Sequence, residues 1–379
     1  MAESTYAQDS AFLQQHTEVA ELTQGDARVA VAPGYQGRVM TSSLAGEDGA
    51  SFGWLNREFI EGGETGTAFD NYGGEDRFWL GPEAGQFGLW FEPGEPFNLD
   101  HWKTPAGFNE GAFEVDTLSA GSVAMSRRFS VTNASGTEFA CSVWRTINLI
   151  GPSDAAGLLG IDVPKGVRMV GFESENQLGN AGDEPWTRDG GLLSVWILGQ
   201  FKPLPHGQVI APFVVGAAAT LGPKVTTNYF GEIPPERCRV GEWYVLFCCD
   251  GQHRSKIGVS PMRAKDVIGS YDPDAKVLTI VQFNLPVDSG NMPYVNSLWE
   301  RQEEPFAGDA VNSYNDGPPS PGAPPLGPFY EIETSSPAAE LAPGETLSHE
   351  HRTFHFAGDQ DGLETIARSV LGIDLDKIA

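Results

Sequence analysis

The chain has 379 residues, and its 40% hydrophobic and 11% aromatic content is enough for a substantial core. It carries 51 acidic against 24 basic residues, a formal net charge of −27. This balance argues against a nucleic-acid partner, which needs clustered Lys and Arg.

No apolar run approaches the roughly 20 residues that span a bilayer, so we predict no membrane insertion. The compartment stays open between the cytoplasm and a periplasmic or secreted location after signal removal, and so does the oligomeric state.

The two ends of the chain are predicted to be helical. Residues 1–24 form a predicted N-terminal helical segment, because Phe12, Leu13 and Val19 give an approximate apolar face. Residues 358–379 form a predicted C-terminal helix, with Asp359 or Asp361 near its start.

Between these ends the signal is β throughout, with runs of β-branched and aromatic residues separated by Gly, Pro, Asn and Asp. Many strands without intervening helices predict an all-β fold of two large stacked antiparallel sheets, a β-supersandwich, in one domain over residues 1–379. The predicted strands are 129–132, 139–150, 167–172, 192–201, 209–215, 243–248, 277–285, 329–334 and 347–356.

Three stretches are predicted to be long loops: 46–75, 181–190 and 305–328. Loops of this length in a compact fold are usually functional or disordered. We predict no cofactor, with one alternative, a calcium ion in the third loop, where hard oxygen ligands are available. These ligands would be Asp309, Asn312, Asn315 and Asp316.

Two glutamates in the predicted strand 329–334 are candidates for acid–base chemistry. Side chains alternate along a strand, so Glu331 and Glu333 share one face. Burial there would raise a carboxylate pKa towards a value useful for a general base. The alternative is that this face is a solvent-exposed edge of a sheet.

The last predicted strand places His349, His351, Thr353 and His355 on one face. We predict no metal here, because His349 and His355 would lie about 20 Å apart along an extended strand. One of these histidines could act as an acid, a base or a sugar hydrogen-bond partner, and a structural role in the sheet is the commoner case.

The segment 71–83, NYGGEDRFWLGPE, combines glycines, charges and aromatic residues. Glycines let a backbone approach a ligand, an arginine can hold hydroxyl or carboxylate pairs, and a tryptophan can stack on a sugar ring. We predict that Glu75, Asp76, Arg77, Trp79 and Glu83 take part in a binding site. The alternative is an internal ion pair above core tryptophans.

Further candidates for substrate binding lie elsewhere in the chain. Asn176, Asn180 and Trp186 follow or flank a polar stretch, and Lys256 begins another β run. The asparagines could equally be turn residues, and the lysine could lie on the surface.

The run IETSSPAAELAPGETLSHEHRTFHF, residues 332–356, resembles the C-terminal strand pair of the galactose mutarotase-like superfamily, in an uncharacterised bacterial branch. In the aldose 1-epimerases of that superfamily, the general base is a glutamate in a context that matches Ile332, Glu333, Thr334 and Pro337. The catalytic histidines of those enzymes have no counterpart: Asn71–Tyr72 stand before the paired glycines, and 227–231 reads TNYFG.

The resemblance implies a carbohydrate ligand and a mutarotase- or epimerase-like enzyme. Glu333 would be the base, Arg77 would orient hydroxyls, and the acid would be new, such as His351, Lys256 or Asp76. Glu331 and His349 would help to bind the sugar. The alternatives are a glycoside hydrolase using Glu333 with Glu83 or Asp76, a polysaccharide lyase, and a non-catalytic sugar binder.

Overall fold

A computed structural model describes residues 4–378 of the chain. It is mostly β, with 37% strand and 14% helix, which confirms the predicted fold class. The helices are α1 Tyr6–Leu13, α2 Arg57–Gly62, α3 Ala106–Asn109, α4 Pro152–Leu159, α5 Ala218–Leu221 and α6 Gln360–Ile366. The strands are β1 Ala20–Gln24, β2 Ala27–Ala32, β3 Arg38–Ser43, β4 Arg77–Gly81, β5 Glu114–Leu118, β6 Ser122–Thr132, β7 Glu138–Leu149, β8 Val167–Asn180, β9 Ser194–Phe201, β10 Gln208–Pro212, β11 Cys238–Val240, β12 Tyr244–Cys248, β13 Ser255–Val259, β14 Val267–Asp272, β15 Val277–Phe283, β16 Val311–Asn315, β17 Tyr330–Ser335 and β18 Thr346–Gly358.

Within residues 4–378 these strands form three antiparallel sheets. The large sheet has ten strands in the order β11-β12-β10-β14-β15-β18-β8-β7-β6-β5. The small sheet has five strands in the order β13-β16-β17-β9-β4, and a further three-stranded sheet is formed by β1-β2-β3. The fold is therefore a sandwich of two unequal sheets with an additional three-stranded sheet.

The apolar core lies between the large and small sheets. Ile257, Val311 and Ile332 of the small sheet pack in one cluster with Val281 and Phe283 of the large sheet. Because side chains alternate along each strand, the residues between these core positions point to the opposite, outer face of the small sheet. That outer face carries the candidate site.

The ends of the chain differ in part from the prediction. Helix α1 is shorter than the predicted segment, begins with a capping box at Thr5, and gives way to strand β1 from Ala20. Helix α6 begins after Asp359, and Leu363 and Ile366 pack on the outer face of the large sheet. Of the helices within the described part of the chain, none has the length and apolar character needed to cross a membrane.

The predicted loop 305–328 contains strand β16, which accounts for its unusual residues. Asp309 accepts hydrogen bonds from Tyr229 and Thr226, whereas Asp316 accepts them from Tyr314 and the Gly327 amide. Asn312 and Asn315 lie three residues apart on β16 and face opposite sides of the sheet, so the four suggested calcium ligands do not meet at one point.

Candidate active site

The pairing of residues between neighbouring strands brings the side chains of the site together on the outer face of the small sheet. Arg77 of β4 pairs with Leu198 of β9, which in turn pairs with Glu333 of β17. On the other side of β17, Glu331 pairs with Tyr314 of β16, and that residue pairs with Lys256 of β13. Directly paired residues point to the same face, so strands distant in sequence bring their charged side chains together.

A cavity above this face encloses about 440 Å³ of empty space, including the solvent at its mouth. Small-molecule sites combine apolar walls with a few convergent polar groups, and this cavity has that composition. The walls are mainly aromatic and the polar groups are mainly charged. The lining residues are Phe69, Arg77, Trp79, Glu83, Leu99, Trp102, Trp196, Leu198, Phe230, Arg254, Lys256, Trp299, Tyr314, Leu326, Phe329 and Glu331.

Glu331 is the carboxylate of β17 that lines this cavity. It is 6% exposed and accepts a 2.8 Å hydrogen bond from Arg77 Nη2. Burial raises the pKa of Glu331 to about 7, against the opposing effect of Arg77. The Arg77 guanidinium also lies 3.8 Å from the centre of the Trp79 ring, and its Nε and Nη1 have no hydrogen-bond partner within the described residues. This pair can therefore exchange a proton near neutral pH and still donate hydrogen bonds.

Glu333 is fully buried and does not line the cavity itself, but both of its hydrogen-bond partners, Lys256 and Trp196, do. Its Oε2 accepts hydrogen bonds from Lys256 Nζ at 2.7 Å and from Trp196 Nε1 at 2.8 Å. Its Oε1 has no hydrogen-bond partner in the part of the chain that the structure describes. A buried carboxylate oxygen without a donor is costly, which marks this atom as a candidate for contact with a ligand.

Glu83 supplies a third carboxylate to the cavity from the segment after β4. Its Oε1 accepts a 2.7 Å hydrogen bond from Trp102 Nε1, and burial raises its pKa. Trp102 also lies in the aromatic wall, so this hydrogen bond fixes both an acid and a ring at the same side of the cavity. Perturbed carboxylates in a cleft are typical of functional sites.

The structure places Asp76 and Asn176 between the sheets and not in the cavity. Asp76 forms a buried ion pair with Arg145 of β7 and accepts a 2.7 Å hydrogen bond from Ser174 of β8. Asn176 accepts a hydrogen bond from the same arginine. Asp76 directly precedes Arg77, so its side chain points to the opposite face.

The histidines of β18 are also separated from the cavity. His349 Nε2 and His351 Nδ1 each lie 2.8 Å from Thr334 Oγ1. Thr334 shares the inner face of β17 with the core residue Ile332, while Glu333 points to the outer face beside Lys256. The sheet itself therefore stands between His351 and Glu333, and the suggested pairing of His351 as acid with Glu333 as base is not possible in this geometry.

We expect these buried histidines to make the protein less stable in acid. Burial lowers the pKa of His349 to about 3 and that of His351 to about 4. The unfolded chain takes up these protons near pH 6.5, so the free energy of unfolding should fall as the pH drops from about 6.5 towards 4. Urea unfolding at pH 7 and pH 5 should show this loss, and a smaller difference between the two pH values in His351→Gln. The exposed His16→Gln variant should keep the wild-type difference.

The glycine pair of the opening segment approaches protein backbone and not a ligand. A Cβ on Gly73 would lie 2.1 Å from the Trp54 carbonyl oxygen, and one on Gly74 would lie 2.8 Å from that of Val39. Glu75 accepts one hydrogen bond from the Ser42 hydroxyl and contacts His355 at 2.9 Å between the sheets. The glycines thus fit this segment against its neighbours, which corrects the expectation that they face a sugar.

The remaining predicted binding residues also have partners outside the cavity. Asn180 donates to the backbone carbonyls of Glu184 and Leu341, and Trp186 belongs to the core. Asn315 donates a hydrogen bond to the His253 carbonyl, and Asp316 accepts one from the Gly327 amide within the same loop.

Sequence reasoning missed most of the aromatic wall and Arg254. Of the predicted residues, the cavity gathers Arg77, Trp79, Glu83, Lys256 and Glu331, with Glu333 below them. Arg254 shares the parity of Lys256 in the run RSKIG, so alternation was an available signal for it. Trp196 and Trp299 of the wall had no such signal, because buried core and buried site residues have the same composition.

Comparisons with solved structures identify the same architecture in other proteins. A putative aldose 1-epimerase from Escherichia coli K12 matches with a TM-score of 0.53 at 13% identity, over 90% of this chain and 99% of that one. The Slr1438 protein from Synechocystis sp. PCC 6803 matches with a TM-score of 0.51 at 13% identity, over 90% and 96% of the two chains. A galactose mutarotase-like protein from Lactobacillus casei ATCC 334 gives a TM-score of 0.46 at 10% identity, over 89% and 100%.

The first two likenesses confirm the galactose mutarotase-like fold expected from residues 332–356, and at such low identity they concern the fold alone. No curated protein matches this chain. Residues 4–379 match a family of unknown function, DUF6786. The match spans nearly the whole sequence, and the chain, with its galactose mutarotase-like fold, therefore belongs to that family.

Proposed function

We propose that this protein is a sugar isomerase of the mutarotase type, which interconverts the anomers of a sugar bound in the cavity on the small sheet. The observation that carries the proposal is the pair Glu331 and Glu333. They stand two residues apart on one face of β17, and each is held by its own cation beneath aromatic walls. General acid–base chemistry on a hydroxylated ring needs such a pair of proton-transferring groups.

The two glutamates take different roles in this proposal. Glu333 is the base, and its unpartnered Oε1 accepts the proton of the anomeric hydroxyl. Glu331 is the acid and donates its proton to the ring oxygen as the bond between that oxygen and the anomeric carbon breaks. A carbonyl group forms at the anomeric carbon, and rotation about the adjacent carbon–carbon bond presents its other face to the ring hydroxyl. Both proton transfers then reverse as the ring closes. Arg77 and Lys256 orient the carboxylates and can contact hydroxyls.

The pH dependence of the reaction tests this assignment. Burial raises the pKa of Glu331 to about 7, so the protonated acid is lost as the pH rises through that value. We expect the enzyme-catalysed rate of anomer exchange, followed by exchange NMR, to fall above about pH 7. In Glu331→Gln the rate should be low and this limb of the profile should be absent. If the exchange rate of the variant still fell above about pH 7 as in the wild type, Glu331 would not be the acid.

A glycoside hydrolase remains the second candidate, and Glu83 is the observation that favours it. Glu83 and Glu331 line the same cavity, and burial raises the pKa of both. Two carboxyl groups flanking a glycosidic bond are what such an enzyme needs. Oligosaccharides incubated with the protein separate the two activities, because hydrolysis yields shorter products and anomer exchange does not.

A further inference from the structure

Arg254 differs from the other two cations of the cavity because it has no acidic partner. Arg77 is paired with Glu331, and Lys256 with Glu333. Within the described chain, the Arg254 guanidinium takes part in neither an ion pair nor a side-chain hydrogen bond, and its Nε is buried without a partner. A guanidinium left in this state at the wall of a cavity is available to an anionic group.

Two aromatic rings of the cavity wall fix the position of this guanidinium. Its central carbon lies 3.7 Å from the centre of the Phe230 ring and 5.1 Å from that of Trp299. Stacking of this kind stabilises the cation and limits its rotation, while its N–H donors stay in the plane of the group and out of the stack. The two rings therefore hold the N–H groups of the Arg254 guanidinium in a fixed position without providing them with hydrogen-bond acceptors.

We propose that the cavity takes a sugar acid, a hexuronate whose carboxylate is bound by Arg254. This inference deepens the proposed function and rests on the cavity being the sugar site. A planar carboxylate matches the fork of a guanidinium. One unpaired cation balances one negative charge, whereas a phosphate would bring up to two negative charges beside Glu83, Glu331 and Glu333. In a chain with a net charge of −27, selection of an anion requires a local cation of this kind.

Binding measurements on matched sugars test the inference. D-glucuronate, D-galacturonate, D-glucose, D-galactose and D-glucose 6-phosphate are titrated into the protein and affinities are measured by calorimetry. We expect each uronate to bind at least about tenfold more tightly than its neutral parent. In Arg254→Gln this preference should shrink to within about twofold.

Arg188→Gln is the matched control. Arg188 also lies over an aromatic ring, 5.6 Å from the centre of Phe306, but it is 54% exposed, is paired with Glu340 and does not line the cavity. Its replacement should leave the uronate preference intact. If Arg188→Gln lowered the uronate preference as much as Arg254→Gln does, the preference would be due to long-range charge, and the inference would be overturned.

The remaining outcomes separate this inference from the proposed function. Equal affinity for uronates and neutral sugars, or an Arg254→Gln variant that keeps the preference, overturns the inference. Tighter binding of glucose 6-phosphate than of uronates overturns the assignment to a carboxylate. Anomer exchange of neutral sugars without uronate preference overturns the inference alone. Arg254-dependent uronate binding without anomer exchange overturns the proposed function alone, and binding of no sugar overturns both.

Discussion

Glu333→Gln is expected to lower the rate of enzyme-catalysed anomer exchange by at least about 100-fold, since general acid–base catalysis contributes about 10²–10⁴ to rates. The glutamine keeps the shape of the side chain but cannot accept the proton of an anomeric hydroxyl. The measurement is exchange NMR on the sugars that bind to the wild-type protein, at equal concentrations of folded enzyme.

This variant also disturbs the charge balance below the cavity, which the design has to separate from catalysis. Lys256 is 5% exposed, and without Glu333 its ammonium group would be buried unpaired. Breaking a buried ion pair on one side typically costs about 3–5 kcal/mol. The double variant Glu333→Gln with Lys256→Met removes both charges, so it should recover part of that stability and still lack exchange activity.

The control for the charge change itself is Glu138→Gln, at an exposed position of β7. It should exchange anomers at the wild-type rate. A folded Glu333→Gln protein whose rate stays within a few-fold of wild type, or a double variant that regains activity, would remove Glu333 as the base.

Asp76→Asn is expected to lower the free energy of unfolding by about 3–5 kcal/mol, because the Arg145 guanidinium would stay buried between the sheets without its carboxylate. Both side chains of this ion pair are fully buried, at 0% exposure each. Exchange activity per folded molecule should be unchanged, because Asp76 lies on the inner face of the small sheet. Urea unfolding and exchange NMR on the same sample measure the two effects.

Glu340→Gln is the control for this variant, since it removes one side of the exposed ion pair with Arg188 and should change stability by less than about 1 kcal/mol. The opposite pattern would contradict the account. If Asp76→Asn kept wild-type stability but lost sugar binding, Asp76 would belong to the site, as the sequence suggested.

The sequence predicted the fold class, the common face of Glu331 and Glu333, and several residues of the cavity. The common face of Glu331 and Glu333 follows from the alternation of side chains along a strand, which makes residues two apart neighbours on one face. The match of residues 332–356 to a known strand pair placed this face in a familiar fold.

The sequence could not show which face of each strand meets which sheet. All five residues of β4 are buried, as are those of β9 around Trp196, so no polar-and-apolar alternation separates the core face from the cavity face. Asp76 and Arg77 were therefore predicted to share a site although adjacent strand residues point apart. Long-range pairing was also hidden, since Arg77 and Glu331 meet across 254 residues of chain.

The crystal structure of the protein with its best-bound sugar tests the central claim most directly. We expect the sugar in the cavity on the outer face of the small sheet, with its anomeric hydroxyl within hydrogen-bond distance of Glu333 Oε1 and its ring oxygen beside Glu331. A sugar bound elsewhere, or in the cavity with its anomeric centre turned away from both glutamates, would contradict it.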